Sequence, residues 1–134
     1  MSTPLGEVRS REVFNLPDGE THRIRFGGVR VQELSTGQQV FLTGPVDMRL
    51  YGTIMHGGVN TTTGQPWEND GISLLVTEDD GLVAEKFWNL VAKKAITQLR
   101  GDLESGSYLR TLYEVTGSGP APKTTYQFRR IPNV

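Results

Sequence analysis

LESGSYLRTLYEVTGSGPAPKTTYQFRRI, residues 103–131, is the stretch from which the fold is read. In its first arm, residues 108–116, Leu109, Thr111, Tyr113 and Val115 alternate with Tyr108, Arg110, Leu112 and Glu114. One side of that arm can pack while the other carries Arg and Tyr. Residues 124–131 alternate in the same way. Between the arms, Gly117, Ser118, Gly119, Pro120 and Pro122 exclude a continuous strand or helix, and they are too many for a tight two-residue turn. The stretch therefore predicts a β-hairpin with a basic-flanked connection, and the rest of the chain has to supply strands for it.

Upstream, NLPDGE (residues 15–20) reads as a turn that hands over to THRIRF (21–26), where Ile24 and Phe26 oppose Arg23 and Arg25. Gly27 and Gly28 interrupt the alternation before VRVQEL (29–34), and they read as a bulge or sharp bend of the kind that curves a small barrel. A turn at 35–38, a short strand at 40–43 and a longer strand at 46–56 follow. GGVNTTTGQPWENDG (57–71) reads as a long loop, and residues 72–77 as an apolar strand closed by Glu78-Asp79-Asp80-Gly81. Over residues 82–100 the spacing of Val83, Phe87, Leu90 and Val91, beside Trp88, Ala92, Ile96 and Leu99, predicts a helix. Asp79 or Asp80 would cap it and Gly101 would stop it. Residues 1–12 carry no periodic pattern and are expected to be flexible. The sum is one mainly β (α+β) domain over residues 1–134, a small, partly closed barrel of five to six strands with one helix before the final hairpin.

The chain has no Cys, which removes disulfides, thiolate zinc sites and a Cys nucleophile, and fits a cytoplasmic protein. No apolar run approaches the ~20 residues of a membrane helix. The opening MSTPLGEVRSREV lacks the apolar centre of a signal peptide, so a soluble protein with no membrane partner is expected. His22 and His56 belong to no HExxH, triad or ligand-spaced cluster, and both read as strand residues. Glu78, Asp79 and Asp80 lack EF-hand spacing, and GGVNTTTG has no following Lys-Ser/Thr. The expectation is a non-enzymatic protein with no catalytic residue, metal or cofactor.

Net charge is −1, but its distribution is uneven. Residues 61–81 hold Glu68, Asp70, Glu78, Asp79 and Asp80 with no base, whereas residues 110–134 set Arg110, Lys123, Arg129 and Arg130 against Glu114 alone. Basic residues beside aromatic ones on strands suit single-stranded nucleic acid, because stacking a base on Tyr, Phe or Trp is worth about 1–3 kcal/mol. Tyr51 with Arg49, Tyr108 with Arg110, and Tyr126 with Arg129 and Arg130 supply that combination. Trp67 falls in the loop, and Phe87 and Trp88 are read as core.

Three segments carry a resemblance. YEVTGSGPAPKTTYQF (113–128) resembles the closing hairpin of phage-type single-stranded DNA-binding proteins with an OB fold, KKAITQLRGDL (93–103) the helix before it, and NLPDGETHRIRF (15–26) the opening turn and strand. The chain departs from that pattern at Gly117, where the family commonly has Arg, and in ending RRIPNV where many relatives have an acidic tail. It also lacks the Cys/His zinc site of some members. The resemblance implies an OB-type barrel that binds single-stranded DNA with little sequence preference in replication or recombination, in the host cell cytoplasm. The expected binding residues are Arg23, Arg25, Arg49, Tyr51, Tyr108, Arg110, Lys123, Tyr126, Arg129 and Arg130. A homo-oligomer is compatible with this reading. The alternative is a structural or protein-interaction β-barrel module of a virion or other assembly, with the 57–71 loop making subunit contacts.

Overall fold

A computed structural model describes residues 14–60, 62–120 and 124–132, so residues 1–12 and Lys123 lie outside the described residues. In chain order the elements are β1 (Thr21–Glu33), β2 (Gln39–Leu42), β3 (Tyr51–Gly52), β4 (Ile54–Val59), β5 (Pro66–Asp79) and β6 (Leu82–Leu90). Then come α1 (Lys93–Ser105), a 3-10 turn (Ser107–Leu109), β7 (Leu112–Ser118) and β8 (Thr125–Ile131). The described chain is mostly antiparallel β-sheet with a single α-helix.

β1 is the strand that the others share. Thr21 to Ile24 pair with β7, Ile24 to Arg30 with β5, Val29 to Gln32 with β2, and Gln32 and Glu33 with β3. Between Arg25 and Gly28 its register against β5 shifts twice, so the bend expected at Gly27-Gly28 is present. The bulge changes which positions face inward: Ile24 and Phe26 are buried before it, Val29 and Val31 after it. A Cβ on Gly28 would lie 2.3 Å from Phe41 Cζ and 2.9 Å from the Leu42 carbonyl, so only glycine lets β2 cross here.

The core is built from the inward rows of these strands, Ile24, Phe26, Val29 and Val31 against Ile72, Leu74, Val76, Trp88, Leu90, Tyr113 and Val115. α1 closes its end with Ala95, Leu99 and Leu103, spaced four apart and all buried. Leu99 and Leu103, fully buried, each contribute about 1.5–3 kcal/mol, and Ala95 about 0.8 kcal/mol. β6 and β8 share no backbone ladder among the described residues, so the sheet does not close. Side chains span the gap instead: Trp88 packs on Tyr126 (ring centroids 5.1 Å apart) and Phe128 (5.7 Å). From α1, Gln98 Nε2 donates to the Tyr126 carbonyl at 2.8 Å, and Gln98 Oε1 accepts from the Phe128 amide at 3.0 Å.

Several expectations are corrected. Residues 82–90 form strand β6, not the first turns of a helix, because Asp80 and Gly81, both at positive φ, make a two-residue turn that pairs Asp79 with Leu82. Asp-Gly is the turn chemistry of a two-residue hairpin, and it outweighs the helical spacing. α1 accordingly starts at Lys93, runs through Gly101 and ends at Gly106, whose left-handed φ of 85° supplies the C-cap. The 57–71 loop is largely an arm of β4 and β5, in register from Ile54↔Gly71 to Val59↔Pro66. The single strand expected at 46–56 is divided into a turn, β3 and β4.

The opening turn is clasped to the final hairpin. Gly19 N–H donates to the Gly117 carbonyl (2.9 Å), Gly117 N–H to the Glu20 carbonyl (3.1 Å), and Gly119 N–H to Asp18 Oδ1 (2.8 Å). A Cβ at Gly117 would stand 2.9 Å from the carbonyl oxygens of Leu16 and Pro17. This contact gives a physical reason for glycine at position 117. Gly117→Ala is expected to lower stability by about 1–3 kcal/mol, through backbone displacement of the 15–20 turn, read as a lower urea midpoint.

Candidate nucleic-acid interface

Strand alternation sends one row of β1, β2, β5 and β6 into the core and the other row outward. Directly opposed across the four strands in the outward row are Phe41, Arg30, Ser73 and Asn89. Arg30 Nη2 donates to Ser73 Oγ at 3.3 Å, and Ser73 Oγ donates to Asn89 Oδ1 at 2.7 Å. The Arg30 guanidinium carbon sits 5.6 Å from the centre of the Phe87 ring, which meets Phe41 edge-on at 6.0 Å. Such a cation on a ring contributes about 0.5–2 kcal/mol and holds the guanidinium in one place.

The same face continues along β5 onto the arm it forms with β4. His56 lies over Gly71, where a Cβ would come within 3.0 Å of its Cδ2 and 2.4 Å of the Leu90 carbonyl. Burial lowers the His56 pKa, and the Arg30 charge lowers it further, so the ring is neutral at neutral pH. Farther out, Trp67 is paired with Gly58 and remains 38% exposed.

The residues expected to bind are dispersed. Arg23 and Arg129 oppose Glu114 across β1, β7 and β8 and share its carboxylate: Arg23 Nε at 3.3 Å, Arg129 Nη2 at 2.8 Å. Those hydrogen bonds, Arg129's first, outweigh the small opposing effect of burial and hold the Glu114 pKa below the usual carboxylate range. Arg130 points to the other side of β8, where it donates to Asp102 of α1 at 2.8 Å. Arg25 pairs with Glu78 (3.4 Å), and Arg49 with Asp47 (2.9 Å), whose pKa falls to about 2 through hydrogen bonds from the Arg49 side chain and backbone. Arg110 is exposed at the end of the 3-10 turn.

Tyr108 requires correction as a stacking residue. It lies in the 3-10 turn, fully buried, and donates to the Gly44 carbonyl at 2.8 Å, its pKa pushed up to about 12 by burial. Tyr51 and Tyr126 are half-buried against the core, and no described tyrosine sits in the Arg30 row. Sequence reasoning missed Phe41, Arg30, Ser73, Asn89 and Phe87 as neighbours, although Phe87 is buried as expected. The Asp-Gly turn was the available signal, because treating residues 82–90 as a strand places Phe87 and Asn89 together on one face.

His22, Asp79 and Asp80 bring three potential metal-ligand atoms within 4.8 Å of one another. The imidazole is engaged otherwise: Nδ1 lies 2.7 Å from Asp79 Oδ1, and Nε2 2.9 Å from Glu20 Oε1. Only the imidazolium can donate to both carboxylates, and that form has no lone pair for a metal. No protein-family model, curated protein or solved structure matches the chain.

Burial alone would lower the His22 pKa, but its hydrogen bonds to Asp79 and Glu20, with the charges of Asp79 and Asp80, raise it above 6.5. A raised folded-state pKa contributes stability that is complete below the unfolded value and is lost as pH rises through the folded one. The urea midpoint is therefore expected to fall as pH rises above about 6.5, and His22→Gln to flatten that fall.

Proposed function

We propose that this chain is a single-stranded DNA-binding protein on an OB-type barrel, acting in replication or recombination. The observation that carries the reading is the double use of β1, antiparallel to β5 on one edge and to β7 on the other. With β5–β6 and β7–β8 as hairpins and α1 between β6 and β7, five strands follow the Greek-key order of a partly open OB barrel. Trp88 and Gln98 bridge the strands where such a barrel closes or gapes. In that frame β5 and β6 are the second and third strands, the face on which OB folds hold oligonucleotides, and the segment from Leu34 to Gln65 is the first connecting loop, elaborated by β2, β3 and β4.

What that face offers suits a single strand. Arg30 supplies charge, held by Ser73 and the buried Phe87 ring; the half-buried Phe41 supplies aromatic surface; Asn89 supplies an exposed amide. The mechanism is passive: phosphates lie against the guanidinium, bases against flat side chains, and released counterions supply much of the free energy.

Anisotropy titration with labelled poly-dT at two salt concentrations tests this. Log K is expected to fall with log salt by about 0.7 per phosphate contacted, and Arg30→Gln to weaken binding roughly tenfold and reduce that slope. Absence of binding at low salt, or binding indifferent to salt, overturns the reading.

A further inference from the structure

The arm of β4 and β5 projects beyond the Arg30 row, and its two faces differ. Val59, Gly57 and Met55 pair with Pro66, Glu68 and Asp70, so the two acids share one face. The other face carries Trp67, Asn69 and Gly71 opposite Gly58, His56 and Ile54, and it is continuous along β5 with Ser73. At about 3.3 Å per residue, Trp67 stands roughly 20 Å from Ser73 along the strand, farther than one nucleotide reaches.

The setting of Trp67 is specific. A Cβ built on Gly58 would be 3.1 Å from each of three ring atoms, Nε1, Cε2 and Cζ2. Equal distances to three adjoining atoms mean that the indole lies face-on against the backbone of β4, so close that a Cβ at position 58 would push the ring back by a few tenths of an ångström. Its other face is turned outward, in a residue 38% exposed. An exposed indole costs solvation, but one already immobilised flat on a strand loses little conformational freedom when a second plane is laid on it.

We propose that Trp67 is a stacking platform for a base of the bound strand, held on the arm so that DNA crossing the Arg30 row continues along β5 to the indole. This rests on the strand-binding reading above. The ligand chemistry is a planar nucleobase of any identity, since every base has a π-face. Gly58 is the positioning residue: it shapes the platform without touching DNA. The acids Glu68 and Asp70, alternating to the opposite face, leave the path of the phosphates clear of carboxylate on the Trp67 side.

The test uses the full chain, a poly-dT oligomer of about 12 nucleotides that spans the face and arm, and one of about 4 nucleotides that covers only the face. The chain has two tryptophans, and Trp88 is buried, so Trp67 is the solvent-facing emitter. The long oligomer is expected to quench tryptophan emission in the natural sequence and not in Trp67→Phe, which still stacks and binds within a few-fold. Trp67→Ala is expected to weaken the long oligomer by about tenfold or more while leaving the short one unchanged. Gly58→Ala, which keeps the indole but displaces it, is expected to weaken the long oligomer alone, with the packed Trp88 reporting an intact fold. Equal affinity of Trp67→Ala and the natural sequence for the long oligomer, with no quenching, overturns the platform and leaves the strand-binding reading standing. Failure of the natural sequence to bind either oligomer overturns both.

Discussion

The bend in β1 at Gly27-Gly28 is the constraint on which the rest of the structure depends. A straight strand offers each edge to one neighbour, whereas β1 serves β7, β5, β2 and β3 along 13 residues. The bulge allows this by shifting inward parity from Ile24 and Phe26 to Val29 and Val31, so both halves bury apolar side chains while the strand turns. It also aims outward residues differently. Arg23 and Arg25 look toward Glu114 and Glu78, and beyond the bend Arg30 lies across Ser73 toward Phe87. The two halves of a single strand thus aim their arginines at different neighbours.

Where β6 and β8 fail to pair, the cost of open backbone groups is met by α1. Gln98 presents an amide that both donates and accepts, taking the place of a neighbouring strand at Tyr126 and Phe128. Each such hydrogen bond is worth about 0.5–1.5 kcal/mol net, and leaving a buried group unmet costs about 1–3 kcal/mol, so the second figure governs. Trp88 fills the apolar side of the same gap, touching Tyr126, Phe128 and Phe14. One helix and one ring therefore complete the core without a closed ladder.

Charge follows the same economy. Exposed pairs such as Arg49–Asp47 and Arg100–Glu104 each contribute about 0–1 kcal/mol to stability, so their main effect is to neutralise local charge. The Arg23–Glu114–Arg129 row gathers two cations on one carboxylate, and Asp102 accepts from both Arg130 and the Tyr113 hydroxyl. With a net charge of −1, each of these local clusters acts on a ligand only over distances within about 8–10 Å.

By itself the sequence determined what local alternation and turn chemistry can determine. The opening turn, the first strand with its glycine bend and the presence of a final hairpin follow from period-two burial and from residues that suit special backbone angles, and these act between near neighbours; the hairpin's first arm, expected at 108–116, runs instead from Leu112 to Ser118, after a 3-10 turn at Ser107–Leu109. The extent of α1, the strand nature of residues 82–90 and the arm at 54–71 did not emerge, because Phe87, Leu90 and Val91 satisfy a helical period, and Asp79 and Asp80 suit a helix cap as well as a hairpin turn. Which arginines are occupied was decided only by tertiary structure, since Arg23 meets Glu114 across 91 positions and Arg130 meets Asp102 across 28. The burial of Tyr108, the row from Phe41 to Asn89 and the indole laid on Gly58 likewise depend on strand order and register, which bring distant residues into contact and which no local pattern encodes.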